Sequence, residues 1–125
     1  MFAKPPSFLF ALFVLSVLFF FRAPAQAQTP FYQGKTIRIV VGLTPGGFYD
    51  RWARMLARFM PLYIPGNPNF IVQNMAGAGS MIAMNHVYGV AKADGLTLGM
   101  PNYGVYLDQL AGRQEVRYDV TKMHY

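Results

Sequence analysis

Two glycine-bearing segments, Thr44-Pro45-Gly46-Gly47-Phe48-Tyr49-Asp50 and Gly77-Ala78-Gly79-Ser80, are where this 125-residue chain could do chemistry. A loop of small residues lets main-chain N–H groups approach a ligand closely, and a helix start just beyond it favours negative charge. The chemistry on offer is the holding of a carboxylate or a phosphate by backbone amides. Asp50, the one acid in a glycine loop, either braces the first helical turn or touches the ligand. A third loop, Met100-Pro101-Asn102-Tyr103-Gly104, adds Met100 and Asn102 as further candidates. Taken singly, each glycine could serve only to make a tight turn. Their recurrence at corresponding places in two units points to a site.

Other chemistries fit the residues poorly. Gly77-x-Gly79 lacks the third small residue of a dinucleotide fingerprint, because Ile82 stands there, and no segment ends in the Gly-Lys-Ser/Thr of a phosphate-binding loop. The chain has no cysteine, and its two histidines, His86 and His124, are far apart. No pair of carboxylates has a metal-binding spacing, and no nucleophile elbow occurs. The expectation is a binding module with no catalytic residues, no metal and no cofactor. No basic run is interleaved with aromatics, so nucleic acid is not an expected partner.

The elements that would position these loops alternate. Thr36–Val41 is a β-branched run suited to a buried strand. Tyr49–Tyr63 carries Trp52, Met55, Leu56, Phe59, Met60 and Tyr63 at helical spacing, with Arg51, Arg54 and Arg58 sharing an outer, solvated face. Pro61 and the segment Ile64-Pro65-Gly66-Asn67-Pro68 end that helix. A second strand is expected over Phe70–Gln73. A second helix follows, capped by Gly79 or Ser80 and running to about Ala91, with Ala83, Val87 and Val90 inward. Asp94-Gly95 turns into a third strand, Leu96–Met100. A short helix over Tyr106–Ala111 and a loop or edge segment over Arg117–Lys122 complete the chain. Strand, helix, strand, helix, strand is an α/β order. Right-handed crossovers then make the sheet parallel with the first strand central.

The N-terminus reads as an export signal. Residues 8–21, FLFALFVLSVLFFF, form an apolar run preceded by Lys4 and followed by Arg22 and the small-residue exit Ala23-Pro24-Ala25-Gln26-Ala27. The run is shorter than the roughly 20 residues of a membrane span, so cleavage after Ala27 is expected rather than anchoring. Removing residues 1–27 takes away Lys4 and Arg22 and leaves nine Lys and Arg against five Asp and Glu. A modest positive charge favours anionic ligands by steering.

At the loops the chain resembles the extracytoplasmic receptors of tripartite tricarboxylate transporters, also called Bug-type solute receptors. The shared motifs are Lys35-Thr36-Ile37-Arg38-Ile39-Val40-Val41, then Pro45-Gly46-Gly47 with Asp50 opening a helix. Ile71-Val72-Gln73-Asn74, Gly77-Ala78-Gly79, Asp94-Gly95-Leu96-Thr97-Leu98 and Arg117-Tyr118-Asp119 with Lys122 continue the match. The resemblance implies a parallel-sheet αβα half-domain of a type II periplasmic binding protein, incomplete, with residues 28–125 forming the N-terminal part of its first domain. It implies capture of a small di- or tricarboxylate for membrane transporter subunits in the periplasm. The ligand-binding residues it carries over are Gly46, Gly47, Phe48, Tyr49 and Asp50, then Gly77, Ala78, Gly79 and Ser80, with Met100 and Asn102 from the third loop. Phe48 and Tyr49 are larger than the small or polar residues common there, which leaves the ligand's size and polarity open. A non-functional truncated product and a short exported interaction module are the alternative expectations.

Overall fold

The structure, a computed structural model, describes residues 28–123; the segment read as a signal peptide, with its cleavage site, and His124 lie outside the described residues. Three parallel strands, β1 (Thr36–Val41), β2 (Asn69–Asn74) and β3 (Thr97–Met100), form a sheet in the order β2-β1-β3. Thr36 faces Asn69 in the register with β2, and Arg38 faces Thr97 in the register with β3. The first strand is central, as its β-branched sequence and the alternating pattern require. Ile37, Ile39, Val40 and Val41 are all buried, whereas Thr36 and Arg38 at the strand's start are exposed.

Helix α1 (Phe48–Phe59) covers one face of the sheet. Ile39, Val41 and Ala53 are the buried centre of that contact, joined by Tyr49, Leu56, Ala57, Phe70, Val72 and Met100. Burying an isoleucine or valine in such a place stabilises the fold by about 1.5–3 kcal/mol each. The helical spacing holds, but its apolar residues divide in an unexpected way. Ala53 and Asp50 are the buried positions of α1, while Trp52, Met55 and Phe59 are exposed. Two alanines, Ala53 and Ala57, face the strands, with Tyr49 and Leu56 packed beside them. Arg51, Arg54 and Arg58 are exposed, as the pattern predicts. A 3-10 turn, Met60–Tyr63, with Pro61 in its first turn, ends the helix.

Helix α2 (Met81–Gly89) packs on the opposite face. Strand residues alternate between faces. Gly99 is aimed at Val87 of α2, since a Cβ there would stand 3.4 Å from its side chain. Met81, Ala83 and Met84 are buried, Val87 is half-buried, and Val90 lies beyond the helix end and is 70% exposed. The inner face is thus shifted toward the helix start. The reason is a second apolar cluster in which Met81 and Met84 meet Val105 of α3 (Gly104–Leu110) and Tyr118. Tyr118 donates from its hydroxyl to the Val105 carbonyl at 2.8 Å. Asn85 of α2 pins the same C-terminal segment, donating to Glu115 O at 2.9 Å and accepting from Arg117 N at 2.8 Å. The stretch expected as loop or edge is therefore a loop, closed by a 3-10 turn at Val120–Lys122, with one buried aromatic anchor.

The connection into β2 is held by backbone fit. Gly66 has φ +95°, and a Cβ on it would lie 2.4 Å from Gln33 N. Gln33 belongs to the turn before β1, closed by Gln33 N to Pro30 O and Lys35 N to Tyr32 O, both 3.0 Å.

Candidate functional site

All three loops leave the same, carboxyl edge of the sheet, the edge at which ligands bind in open α/β folds. Loop one follows β1 (42–47), loop two follows β2 (75–80) and loop three follows β3 (101–103). Because β1 lies between β2 and β3, its exit is flanked by both neighbours. Short bonds continue the sheet into the loops: Met75 N donates to Val41 O at 2.7 Å, and Gly42 N to Met100 O at 3.1 Å.

Asp50 organises loop one. Its carboxylate is 3% exposed and accepts from Gly46 N at 2.8 Å. It also receives both ends of the Arg54 guanidinium, Nε and Nη2, at 3.0 Å each. The paired Arg54 hydrogen bond, followed by the Gly46 amide, lowers the Asp50 pKa to about 2. Arg54 Nη2 reaches Asn74 Oδ1 at 3.4 Å, and Asn74 Nδ2 donates to Leu43 O at 3.1 Å. The circuit Gly46–Asp50–Arg54–Asn74–Leu43 thus clips loop one to the end of β2. Gly46 sits at φ +84°, a conformation suited to glycine.

Ser80 joins all three loops. It is fully buried; its hydroxyl donates to Gly42 O at 3.1 Å and accepts from Asn102 N at 3.0 Å. It stands at the first boundary of α2, where a capping serine is expected, yet its side chain makes no cap hydrogen bond. The backbone explains this. Ser80 has φ +80° rather than the extended conformation of a capping residue, which turns the hydroxyl toward β1. Gly42 is what makes room for it, since a Cβ there would lie 2.4 Å from Ser80 Oγ. Asn102 in turn folds back on itself, with Oδ1 accepting from Gly104 N at 2.7 Å.

The predicted site residues therefore separate into two groups. Gly46, Gly47 and Phe48 of loop one, and Ala78 and Gly79 of loop two, are exposed at the sheet edge. Tyr49, Gly77, Met100 and Asn102 are half-buried behind them, while Asp50 and Ser80 are buried and fully engaged with the protein's own atoms. Among the described residues no side chain caps α1 or α2, although the first amide of α2, Met81 N, is taken by Ala78 O and Ser80 N by Gly77 O. Such starts carry the partial positive charge of the helix dipole. Loop two is itself wound into a left-handed turn, with Ala78, Gly79 and Ser80 at φ +43°, +62° and +80°, entered at Gly77 with φ +146°. Arg54, Asn74 and Gly42 were not among the predicted site residues. The i,i+4 spacing of Asp50 and Arg54 is a visible signal for the ion pair, whereas the reach of Asn74 across to Leu43 depends on the strand register.

One concavity of about 380 Å3 lies at the opposite edge of the sheet, and another of about 430 Å3 runs along α2 from Met75 of loop two to Arg117. His86 and Val90 border both, and none of the predicted site residues lines either. The loops form an open shelf instead. No group of three or more His, Cys, Asp or Glu among the described residues could hold a metal ion. Among the same residues no helix is long and apolar enough to cross a membrane.

A three-stranded parallel sheet flanked by helices, with small-residue loops at its carboxyl edge, is consistent with part of a periplasmic-binding-protein domain. Sequence comparison narrows that class. The chain is 42% identical over 76 residues to Protein BugT of Bordetella pertussis, covering 61% of this chain and 22% of that protein. It is 34% identical over 99 residues to the UPF0065 protein in the gbd 5' region of Cupriavidus necator, covering 79% of this chain and 29% of that protein. The chain thus has distant, partial similarity to BugT and to the UPF0065 protein. The chain spans less than a third of the length of either relative. No family model matches it.

Proposed function

We propose that this chain supplies the carboxylate-holding shelf of a periplasmic receptor, which captures a small di- or tricarboxylate for the membrane subunits of a tripartite tricarboxylate transporter. The observation that carries the reading is the convergence of two helix starts without side-chain caps and three loops on one sheet edge. Backbone N–H groups there suit an anion that is held without a metal or a buried cation. In this reading the amides of Gly47, Phe48, Tyr49, Ala78 and Gly79 meet the carboxylate, with Gly46, Gly77, Met100 and Asn102 shaping the shelf. Asp50 and Ser80 act as positioning residues, because their polar atoms already have partners. The chain reaches its place of work through the export signal and is cut after Ala27.

Gly47→Pro tests this sharply. Gly47 has φ −75°, which proline adopts, and a Cβ there meets only Thr44 O at 3.6 Å. The φ of Gly47 and the space at its Cβ thus suit proline, which removes the N–H, and circular dichroism checks that Gly46 keeps its turn beside the new ring. Calorimetric titration of the chain with succinate, malate and citrate should give a heat of binding for at least one acid, weakened about tenfold in Gly47→Pro. No heat across the panel from folded protein, or equal binding by the variant, would count against the shelf.

A further inference from the structure

Helix α1 carries an apolar stripe that the fold does not use. Phe48, Trp52, Met55, Phe59 and Leu62 recur at alternating spacings of four and three, which places them in one line along a helix. They are 70%, 45%, 41%, 49% and 71% exposed. Phe48 stacks edge-on against Trp52 at a centroid distance of 6.1 Å, and Tyr63, 84% exposed, extends the stripe beyond the helix end. The buried side of α1 is elsewhere, at Asp50 and Ala53.

The flank of the stripe is basic. At 3.6 residues per turn Arg51 and Arg58 lie beside it, and Arg54 lies one step further round. Arg54 is neutralised by Asp50, at 3.0 Å. Arg51 directs Nε to Gly46 O, and the Arg58 guanidinium sits 5.5 Å from the Phe59 ring centroid, so neither is paired with an acid among the described residues. A convex line of aromatic, methionine and leucine side chains with free guanidinium groups along one side fits a surface that is apolar beneath and negative above. That is the interface of an anionic bilayer. A second copy fits less well, because antiparallel packing about Met55 would bring Arg51 of one chain toward Arg58 of the other.

We infer that this face of α1 docks on an anionic lipid surface, with Phe48, Trp52, Met55, Phe59 and Leu62 seated at the headgroup boundary and Arg51 and Arg58 on lipid phosphates. The docking face meets the proposed carboxylate shelf at Phe48, whose side chain belongs to the stripe and whose amide belongs to the shelf, but it does not require that the shelf bind a ligand.

Trp52 is the chain's single tryptophan and lies within the stripe, so its emission reports this face rather than the apolar run at 8–21. The full chain is titrated with vesicles of phosphatidylcholine alone and of phosphatidylcholine mixed with phosphatidylglycerol. The expected result is a blue shift of Trp52, with quenching by brominated acyl chains, on the anionic vesicles only and reversed by salt. Phe59→Ser should lose the shift, and Arg51→Gln with Arg58→Gln should weaken it by at least about fivefold. Circular dichroism on each variant confirms that the fold is kept. Equal shifts on both vesicle types, no shift on either, or shifts unaltered in the variants would overturn the inference. So would a shift that rises with protein concentration without lipid, which marks self-association, or one produced by an acidic amphipathic peptide and not by vesicles.

Discussion

Ser80 shows how much of this shelf depends on one hydroxyl. Its two hydrogen bonds, to Gly42 O and from Asn102 N, are internal, so Ser80→Ala leaves a buried carbonyl and a partly buried amide without a partner. The cost expected is about 1–3 kcal/mol, read by urea unfolding. Ser80→Gly loses the same bonds but relieves the φ of +80°, worth about 1–2 kcal/mol for a residue with a Cβ. Glycine should therefore be the milder substitution at this site, and an alanine variant as stable as the parent would refute the bracing role. In the sequence, Ser80 reads as a helix cap or a ligand contact. Nothing local reveals that its backbone is left-handed or that Gly42, far earlier in the chain, vacates the space it fills. Asp50 was legible as a brace or a contact, and its i,i+4 partner Arg54 lay in plain view within an arginine stripe.

At the scale of elements, pattern and structure agree where the signal is periodic or β-branched. The three strands, their parallel order with β1 central, and both major helices follow from runs such as Ile37–Val41 and from the proline and glycine breaks. The inward face of α1 did not follow, because alanines carry little hydrophobic signal while Trp52 and Phe59 carry much. Space governs the α1–β2 connection. Gly66→Ala would have to adopt φ +95° and push against the backbone of Gln33, which cannot rotate away as a side chain could. A loss of about 1–3 kcal/mol is expected, with faster amide exchange in the turn 30–35 as its local signature. Exchange unchanged in that turn would show that the contact carries no strain.

For the whole molecule, charge sets limits at both ends of the pH scale. Asp50 is lowered to about 2 by Arg54 and the Gly46 amide, and Asp119 is held well below the ordinary range by the Thr121 hydroxyl, Lys122 and the Thr121 amide. Both titrate near 3.9 when unfolded. Groups lowered in the fold add stability that is fully present above that value and lost as pH falls through the folded value. Tyr118 is raised by burial, so the fold favours its neutral phenol, and stability falls as pH rises beyond about 10. Lys122, raised by Asp119, loses its contribution over the same alkaline range. Thermal unfolding should show these groups contributing a constant amount between about pH 4 and 10, with an acid decline that is shallower in Asp50→Asn. A decline equal to that of the parent would mean that the clip on loop one adds nothing to stability.

The central position of β1 has a consequence in time as well as in space. Among the described strands it is the first to be made, yet Thr36 must wait for Asn69 and Arg38 for Thr97 before either side of it is satisfied. Among the described strands no hairpin offers a local pairing step, so the sheet forms only after a long segment has been closed into a loop, and such pairing is slow. Until β2 arrives, Ile37, Ile39, Val40 and Val41 stand as a bare apolar ribbon, open to any other strand nearby. The interval before β2 and β3 pair is thus the one in which this topology is most exposed to aggregation.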